Sequence, residues 1–479
     1  MALFAVLTLA ACAKPAPEQQ AVSGAAAALG GLDELMAVKT LVIEGEGTQY
    51  NLGQDVVPGA SGQTFAVTSY KRLLDVAENR MRTELVRVPR FTFWQGLAPQ
   101  RQIQGLDEAI AYNVSASGAA TRAGQSVADD RRAEFLRHPV TSVRAAMDQS
   151  ARVTNLRTEK GQQFVDVTTA DGLSFTLGID AGTRLPARVV TAANHTNLGD
   201  VLITTTFADY QRFGAVQLPA RLTTSTDDFV TSEVRVTRHV INAEAGELRA
   251  PPAVASAPPP AQQPINVTVE DVSPGVWLLA GGSHHSALVE FSDHLMLIDA
   301  PQNDARAQAV IAKARELRPA KPLTHVVNSH HHFDHSGGIR AAIAEGLTVI
   351  THEGNARFIE EIARRPHTRV PDALAKKPAP LKLETVADEK VVTDGKMTVH
   401  LFPAPGEHSE TMLIAYLPRE RALIVIDLYE PGEAVHMFAR RFLDDLEKRN
   451  LRVERIIPLH GKIVPYAQLI KDAGQPARK

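Results

Sequence analysis

The alternation of apolar and polar residues divides the chain into two parts with different secondary structure. Before residue 249, apolar and polar side chains alternate with a period of two, as over residues 201–207, which is typical of strands with one buried face. Short turn sequences such as Asp171-Gly172 separate these runs. Helical patterns interrupt them at residues 29–37 and 129–148. We therefore predict a curved antiparallel sheet with covering helices over residues 25–248.

Residues 266–479 show another pattern, in which short apolar runs alternate with amphipathic helical segments. This order favours two β-layers with helices outside, so we expect a two-domain α+β protein. Residues 249–265 are rich in Pro and Ala, which favours an extended linker without helix. The predicted C-terminal strands are 287–290, 295–299, 324–328, 348–351, 397–402, 412–417, 422–426 and 455–458, and the predicted helices are 304–317, 336–345, 434–449 and 466–472.

The first residues resemble a bacterial export signal. An apolar run over residues 1–11 is followed by Cys12 and a polar, Pro- and Gln-bearing stretch. The sequence Leu9-Ala10-Ala11-Cys12 resembles a lipobox, although the Lys or Arg that usually precedes the apolar run is missing. We expect residues 1–24 to be a signal peptide and tether of a periplasmic lipoprotein anchored at Cys12. No later run reaches the roughly 20 apolar residues of a membrane helix.

Charge and cysteine content narrow the partners and the ligand types. The formal net charge is -3, so no strong field of one sign attracts nucleic acid or an anionic membrane surface. The single cysteine excludes an intrachain disulfide and thiolate metal ligands in the folded domains. A metal site in these domains would use imidazole and carboxylate ligands.

The densest chemical signal is the tract His330-His331-His332-Phe333-Asp334-His335, which directly follows a predicted strand. His330 and His332 are two apart and can face one ion, whereas Asp334 and His335 can face a neighbouring ion. Ligation by imidazole and carboxylate suits zinc, with iron and manganese as alternatives. A solvated His-rich tail is the weaker explanation, because a strand precedes the tract and a predicted helix follows it.

Further metal-capable residues recur at the ends of later predicted strands. His408, Asp427 and His460 each follow one of these strands. A lone Asp at a strand end is more often a turn cap than a ligand. Together, however, the three residues offer one metal-capable side chain at the end of successive strands, and we expect them to converge on the histidine-rich tract.

In this order the residues resemble the motif set of the metallo-β-lactamase superfamily. Asp299, the HxHxDH tract, His408, Asp427 and His460 follow one another as in that family. The resemblance covers most of the chain after residue 269 and implies an αββα sandwich that holds two zinc ions. It implies one ion on His330, His332 and His408, a second on Asp334, His335 and His460, and Asp427 as the bridge.

The resemblance also implies a hydrolytic mechanism. Two ions about 3.5–4 Å apart lower the pKa of a bridging water, and the hydroxide attacks a carbonyl or ester centre. Asp334 would act catalytically by orienting this nucleophile and handling its proton. Asp299 would orient a ligand loop from behind. At the position of Asp427, the true β-lactamases with a Cys-containing metal site have a cysteine. An aspartate at this position resembles the glyoxalase II, lactonase and related hydrolase branches of the family. The expected substrate is a small ester, thioester, lactone or amide, with β-lactamase and mononuclear-iron sulfur dioxygenase activities as alternatives.

Four more residues are candidate substrate contacts. His284 and His285 precede a predicted strand, His352 follows another, and Tyr429 lies two residues after Asp427. For the histidine pair, a hairpin position without a role is equally consistent. For Tyr429, a packed aromatic ring is the commoner situation.

Residues 25–248 resemble the LolA/RseB-like family of periplasmic lipoprotein domains. The likeness rests on Leu29-Gly30-Gly31-Leu32-Asp33, Glu44-Gly45-Glu46-Gly47 and Gly214-Ala215-Val216-Gln217-Leu218-Pro219. It implies an apolar ligand or a lipoprotein as the partner of this domain. The alternative function is therefore an envelope protein that binds or senses lipid or lipoprotein and carries an accessory metal domain.

Overall fold

The structure is a computed structural model, and it describes residues 15–60, 62–92, 96–244, 246–261, 263–433 and 436–474. The expected export signal and Cys12 lie outside the described residues. No helix of the described part is long and apolar enough to cross a membrane. The helices are α1 (Pro17–Ala28), α2 (Leu32–Ala37), α3 (Gln125–Leu136), α4 (Pro139–Met147), α5 (Pro252–Ser256), α6 (Asp304–Leu317), α7 (Phe333–Ser336), α8 (Ile339–Ala344), α9 (Ala356–Arg364), α10 (Ala373–Lys376), α11 (Ala439–Lys448) and α12 (Tyr466–Ala473), with a 3-10 turn at Glu353–Asn355.

One large sheet organises the N-terminal region. Its 13 strands follow the order β6-β5-β4-β3-β2-β1-β13-β12-β11-β10-β9-β8-β7, and neighbouring strands such as β1 and β13 run antiparallel. The predicted antiparallel sheet is therefore present. The strands are β1 (Thr40–Tyr50), β2 (Thr64–Asp75), β3 (Arg80–Pro89), β4 (Gln100–Asp107), β5 (Ile110–Val114), β6 (Ala120–Arg122), β7 (Arg152–Glu159), β8 (Gln162–Thr168), β9 (Ser174–Asp180), β10 (Pro186–His195), β11 (Gly199–Phe213), β12 (Val216–Thr226) and β13 (Phe229–Ile241).

The N-terminal helices differ from the sequence prediction in two places. Residues 17–24 were expected in a tether but belong to α1, whose Val22, Ala25 and Ala26 are buried in the core of this region. The predicted helix at 129–148 is two helices, α3 and α4. Pro139 begins the second helix, since proline has no N–H to continue the first one but suits the first helical position.

The Pro- and Ala-rich segment packs on the N-terminal sheet. Within it, α5 forms one short helix that has proline at its start. The expectation of a segment without helix was wrong here. The N–H groups of the first helical turn make no hydrogen bond within the helix, so a proline at this position does not prevent helix formation. Val254 and Ala250 are buried in a small cluster with Tyr112.

Two further sheets form the C-terminal region. In the first, β14 (Thr268–Ser273), β15 (Val276–Ala280), β16 (Ser286–Glu290) and β17 (Leu295–Ile298) lie antiparallel, and β18 (Leu323–Val327), β19 (Thr348–His352) and β20 (Lys382–Val386) continue in parallel. The second has the order β21 (Lys390–Thr393), β22 (Thr398–Pro403), β23 (Leu413–Leu417), β24 (Ala422–Val425), β25 (Arg455–Pro458) and β26 (Val464–Pro465).

Three apolar clusters hold these sheets and their helices together. One cluster takes side chains from both sheets, for example Met296 and Ile298 with Leu401 and Ile424, and is the core between them. A second packs α6, α8 and α9 on the first sheet, and a third packs α11 and α12 on the second. This distribution agrees with the predicted β-layers that have helices outside.

The N-terminal region packs directly against the C-terminal region. Ala193, Leu198 and Val201 belong to the cluster that holds α6 and α8. Close by, the Arg365 guanidinium pairs with the Asp227 carboxylate across the two regions. The hairpin turn between β10 and β11, near residues 193–201, is thus held against the layer that carries the histidine-rich tract.

Candidate metal centre

The histidine-rich tract leaves the end of β18 and is fixed from behind by Asp299. This residue follows β17, is fully buried and has φ +61°. Its carboxylate accepts hydrogen bonds from the Ser329 N–H and the Ser329 hydroxyl, both at 2.8 Å, and from His335 Nδ1 at 2.9 Å. The contact with His335 fixes the direction of that ring and leaves its Nε2 for another partner.

Four side chains form a first group that can hold a cation. One ligand atom from each lies within 4.8 Å of the others, and the members are His330, His332, His408 and Asp427. Three of their nitrogens are buried without a well-aligned hydrogen bond: His330 Nε2, His332 Nδ1 and His408 Nε2. Buried polar atoms are normally paired, so three orphaned imidazole nitrogens facing one carboxylate fit a metal ion.

Asp427 connects this group to the rest of the centre. It follows β24 with φ +53°. Its Oδ2 lies 3.2 Å from His330 Nε2, 2.9 Å from His408 Nε2 and 3.1 Å from His335 Nε2. Its Oδ1 lies 2.9 Å from His460 Nε2. One carboxylate therefore reaches four imidazoles from three separate parts of the chain.

The second group consists of His335, His460 and His284. The Nε2 atoms of His335 and His460 are 3.2 Å apart. Asp334, which the family resemblance implies as a ligand here, lies at the edge, with Oδ2 4.0 Å from His335 Nε2. Its Oδ2 faces His284 Nε2 at 3.1 Å. The histidine that sequence analysis treated as a substrate contact is thus a member of the second group.

The two groups differ in their charge. Burial lowers the pKa of His330 to about 4, an effect that the nearby His335 increases, and burial holds the pKa of His332 well below its usual value. Burial also acts on His335, but its pKa is raised well above the usual value because carboxylates, first Asp427, stabilise the imidazolium. His330 and His332 of the first group are thus neutral imidazoles, the form that binds metal. The second holds a positive charge that a cation would replace.

Comparison with known proteins places this centre in a family. Residues 279–467 match the family model described as metallo-beta-lactamase superfamily. This part of the chain is a metallo-beta-lactamase superfamily domain. The family resemblance predicted from the sequence is confirmed.

Solved metallo-beta-lactamases resemble part of the chain at low sequence identity. The protein from Pontibacter korlensis is 18% identical, with 43% of this chain and 96% of that chain covered and a TM-score of 0.35. The protein from Hirschia baltica is 19% identical, with 43% and 96% covered and a TM-score of 0.35. FIM-1 from Pseudomonas aeruginosa, in its mono-zinc form, is 19% identical, with 44% and 94% covered and a TM-score of 0.35. No curated protein matches the chain.

The family match lies entirely in the C-terminal region. The resemblance of residues 25–248 to LolA/RseB-like domains and the two-domain boundaries therefore stay predictions. The same holds for export and lipidation, which concern residues outside the described part.

The remaining candidate substrate contacts of the metallo-beta-lactamase domain have other partners. His285 Nδ1 accepts from the Gly281 N–H at 3.4 Å, and His352 Nδ1 accepts from the Gly354 N–H at 3.0 Å. The Tyr429 hydroxyl is buried and donates to Asp472 Oδ2 at 2.7 Å. A contact from Tyr429 to a substrate oxyanion would require this hydrogen bond to break.

Residues of the N-terminal region touch the ligand tract, and sequence analysis missed them. Gln54 Nε2 donates to Asp334 Oδ1 at 2.8 Å. His332 Nε2 donates to the Asp55 carbonyl oxygen at 2.9 Å, which leaves Nδ1 of that ring as the free nitrogen. The backbone of Gly53 accepts from the Phe333 N–H at 3.1 Å.

Asn197 makes a second contact between the N-terminal region and the tract. Its Nδ2 donates to the Phe333 carbonyl oxygen at 3.0 Å and to Ser336 Oγ at 2.9 Å. No motif marks these residues. The one signal for the first contact is the long connection between β1 and β2, since long connections between strands are often functional.

Proposed function

We propose that the metallo-beta-lactamase domain is a di-zinc hydrolase of small esters, thioesters, lactones or amides. One observation carries the proposal: Asp427 lies within 3.2 Å of nitrogens from His330, His335, His408 and His460. Such a gathering of buried imidazoles around one carboxylate, with orphaned nitrogens, suits cations better than it suits a hydrogen-bond network.

The donor set supports zinc and two ions. His330, His332 and His408 would hold one ion and His335 with His460 the other, with Asp427 between them. Imidazole and carboxylate donors without thiolate are typical of zinc hydrolases, and iron or manganese is the alternative. When bound, such ions supply Lewis acidity and a water that ionises near neutral pH.

The chain itself supplies an ionised carboxylate in a fixed position beside the second group. The pKa of Asp334 is held well below its usual value, against the effect of burial, by the His284 hydrogen bond and the charge of His335. Its carboxylate is ionised at neutral pH and is fixed by Gln54 on one oxygen and His284 on the other. Asp334 would therefore orient the attacking water. That it also handles the proton of this water is what the family resemblance implies.

Metal content and turnover test this proposal together. We expect about two zinc ions per chain and hydrolysis of at least one member of a panel of chromogenic esters, lactones, thioesters and cephalosporins. EDTA should abolish turnover and zinc should restore it. His330→Ala should lose the zinc and nearly all turnover with an unchanged circular dichroism spectrum.

The matched control is His400→Ala on β22, whose ring faces Glu389 at 2.7 Å outside the metal groups. It should keep the metal content and the activity of the wild-type protein. Full turnover by His330→Ala, or by the EDTA-treated protein, would refute the assignment.

A further inference from the structure

The N-terminal region contains a polar cavity of about 170 Å³. It lies between strands of both halves of the large sheet and the corner that joins α3 to α4. Most of its lining side chains carry polar groups, although apolar residues such as Leu85 and Leu222 contribute. The lining residues used below are Arg72, Glu134, Arg137, His138, Thr205 and Thr224.

Arg137 is the unusual member of this lining. Only 9% of the residue is exposed, and its Nε is buried without a hydrogen-bond partner. Within the described residues, no carboxylate lies within ion-pair distance of its guanidinium. Removing a cation from water is costly unless an opposite charge and hydrogen bonds replace the water. The side chain therefore lines the cavity with unused hydrogen-bonding capacity.

The charges around the cavity do not balance. Glu134 is the one carboxylate among the described lining residues, and it pairs with Arg72. The pKa of Glu134 is lowered, against burial, by three cations: Arg72, Arg137 and Arg131. The Arg131 guanidinium donates hydrogen bonds to backbone and amide oxygens, for example to the Gly105 carbonyl at 2.9 Å. Asp130, outside the lining, also acts on Arg137. Two carboxylates thus act on three guanidinium groups, which leaves one positive charge in excess.

Other polar groups of the lining have hydrogen-bonding capacity to spare. His138 Nε2 is buried and has no partner. Burial, followed by the charges of His239 and Arg72, holds the pKa of this ring well below its usual value, so the ring is neutral. The hydroxyls of Thr205 and Thr224 lie 3.0 Å apart, and each can turn toward a ligand.

We propose that this cavity binds one small oxyanion, a carboxylate or a phosphate, with Arg137 as its main contact. A guanidinium offers two parallel N–H donors to such a group, and this match is the strongest that arginine makes. The volume is below the roughly 300–1,000 Å³ of pockets for drug-sized ligands. The polar lining does not suit the apolar ligand that the LolA/RseB likeness implies. The proposed anion site is apart from the metal centre, and anion binding there does not depend on hydrolysis.

Anion binding to the full chain tests the proposal. Inorganic phosphate and sodium acetate would each be titrated calorimetrically into EDTA-treated protein, with sodium chloride at equal ionic strength as the reference. EDTA removes the metal ions as competing anion sites. We expect saturable binding of one anion per chain. The melting temperature should rise by about 5 °C at a hundredfold excess over Kd. Preference for phosphate or for acetate identifies the ligand class.

Two variants separate a binding role from a structural one. Arg137→Gln should weaken anion binding at least about tenfold. In chloride it should melt no lower than the wild-type protein, because it removes an unpaired buried cation. Arg152→Gln, which changes an exposed arginine at the start of β7, should bind like the wild type. Absence of saturable binding, equal affinity in Arg137→Gln, or a lower melting temperature of Arg137→Gln in chloride would each overturn the proposal.

Discussion

The two regions of the chain contribute to the metal centre in different ways. Within the described residues, every side chain of the metal-capable groups that contain His330 or His335 comes from the C-terminal region. The N-terminal region reaches the same tract through Gln54, the Asp55 carbonyl and Asn197. One region therefore supplies the candidate ligands, and the other supplies contacts behind them.

Metal ligands and supporting contacts differ in whether they need a particular residue type. A ligand needs a particular side chain, so Asp427 and His460 stand at strand ends as recognisable residues. A supporting contact can come from backbone, as at Asp55, whose carbonyl oxygen fixes the His332 ring. Outer contacts orient ligands and tune metal affinity. The identity of the site is thus local to one region, while its geometry depends on both.

Asp299→Asn removes a support of the ligand tract that lies within the C-terminal region. The carboxylate accepts three hydrogen bonds from Ser329 and His335 in a fully buried position, and an amide can accept only at its oxygen. We expect metal affinity to fall about 10–100-fold, as for other outer partners of metal-bound histidines. Competition with a chromophoric chelator measures this affinity.

The control is Asp388→Asn, which makes the same change at an exposed position of the same region and should leave affinity unchanged. If Asp299→Asn binds zinc as tightly as the control, hydrogen bonds to the ligand tract do not set the zinc affinity. The contacts from the N-terminal region would then not be expected to change it either.

The candidate ligands were predictable because they depend on short-range patterns. A histidine-rich tract after an apolar run, and single metal-capable residues after later runs, place side chains at the ends of strands. The structure gathers His330, His332, His408 and Asp427 as expected. The layered strands and helices of this region follow from the same periodicity.

The surroundings of Asp334 were not predictable in this way. Its partner Gln54 is 280 positions away in the chain, and neither residue belongs to a motif that includes the other. The packing of α1 was missed for a related reason. Its Val22, Ala25 and Ala26 are small apolar residues in a Pro- and Gln-bearing stretch, and they show a buried face only when the sheet beneath them is known.

Gln54→Ala tests the support that the N-terminal region gives to the proposed catalytic carboxylate. Without the 2.8 Å hydrogen bond to Asp334 Oδ1, the carboxylate keeps only its His284 contact and is less well oriented. Misplacement of a reacting group lowers the rate of the chemical step rather than the affinity for the substrate. We expect kcat to fall about tenfold with KM nearly unchanged. This effect is smaller than the upper end of the roughly 10–100-fold loss of metal affinity expected for Asp299→Asn.

Two comparisons sharpen this test. Gln308→Ala removes another amide-to-carboxylate hydrogen bond, from Gln308 Nε2 to Asp304 Oδ2 at 2.7 Å on an exposed helix face, and should keep full activity. Gln54→Glu places a second carboxylate beside Asp334 and should be more harmful than Gln54→Ala. Equal kcat values for Gln54→Ala and Gln308→Ala would show that the N-terminal region does not act on the chemistry.

The smallest effect is expected where the N-terminal contact depends on pH. His195 Nδ1 accepts from the Asn197 and Leu198 N–H groups, both at 3.2 Å, and so shapes the turn that holds Asn197 against the tract. Burial, with a smaller effect of the Arg365 charge, lowers the pKa of His195 to about 4. Because this pKa lies below that of the unfolded chain, the unfolded state takes up more protons between about pH 6.5 and 4. The stability contributed by this neutral ring is complete above that window and is lost as the pH falls through it.

His195→Asn keeps an acceptor oxygen that does not titrate in this range. In EDTA, urea unfolding should therefore show a loss on acidification that is about 1–2 kcal/mol smaller for the variant than for the wild type. Parallel pH profiles of the two proteins would show that this turn is not sensitive to protonation of His195.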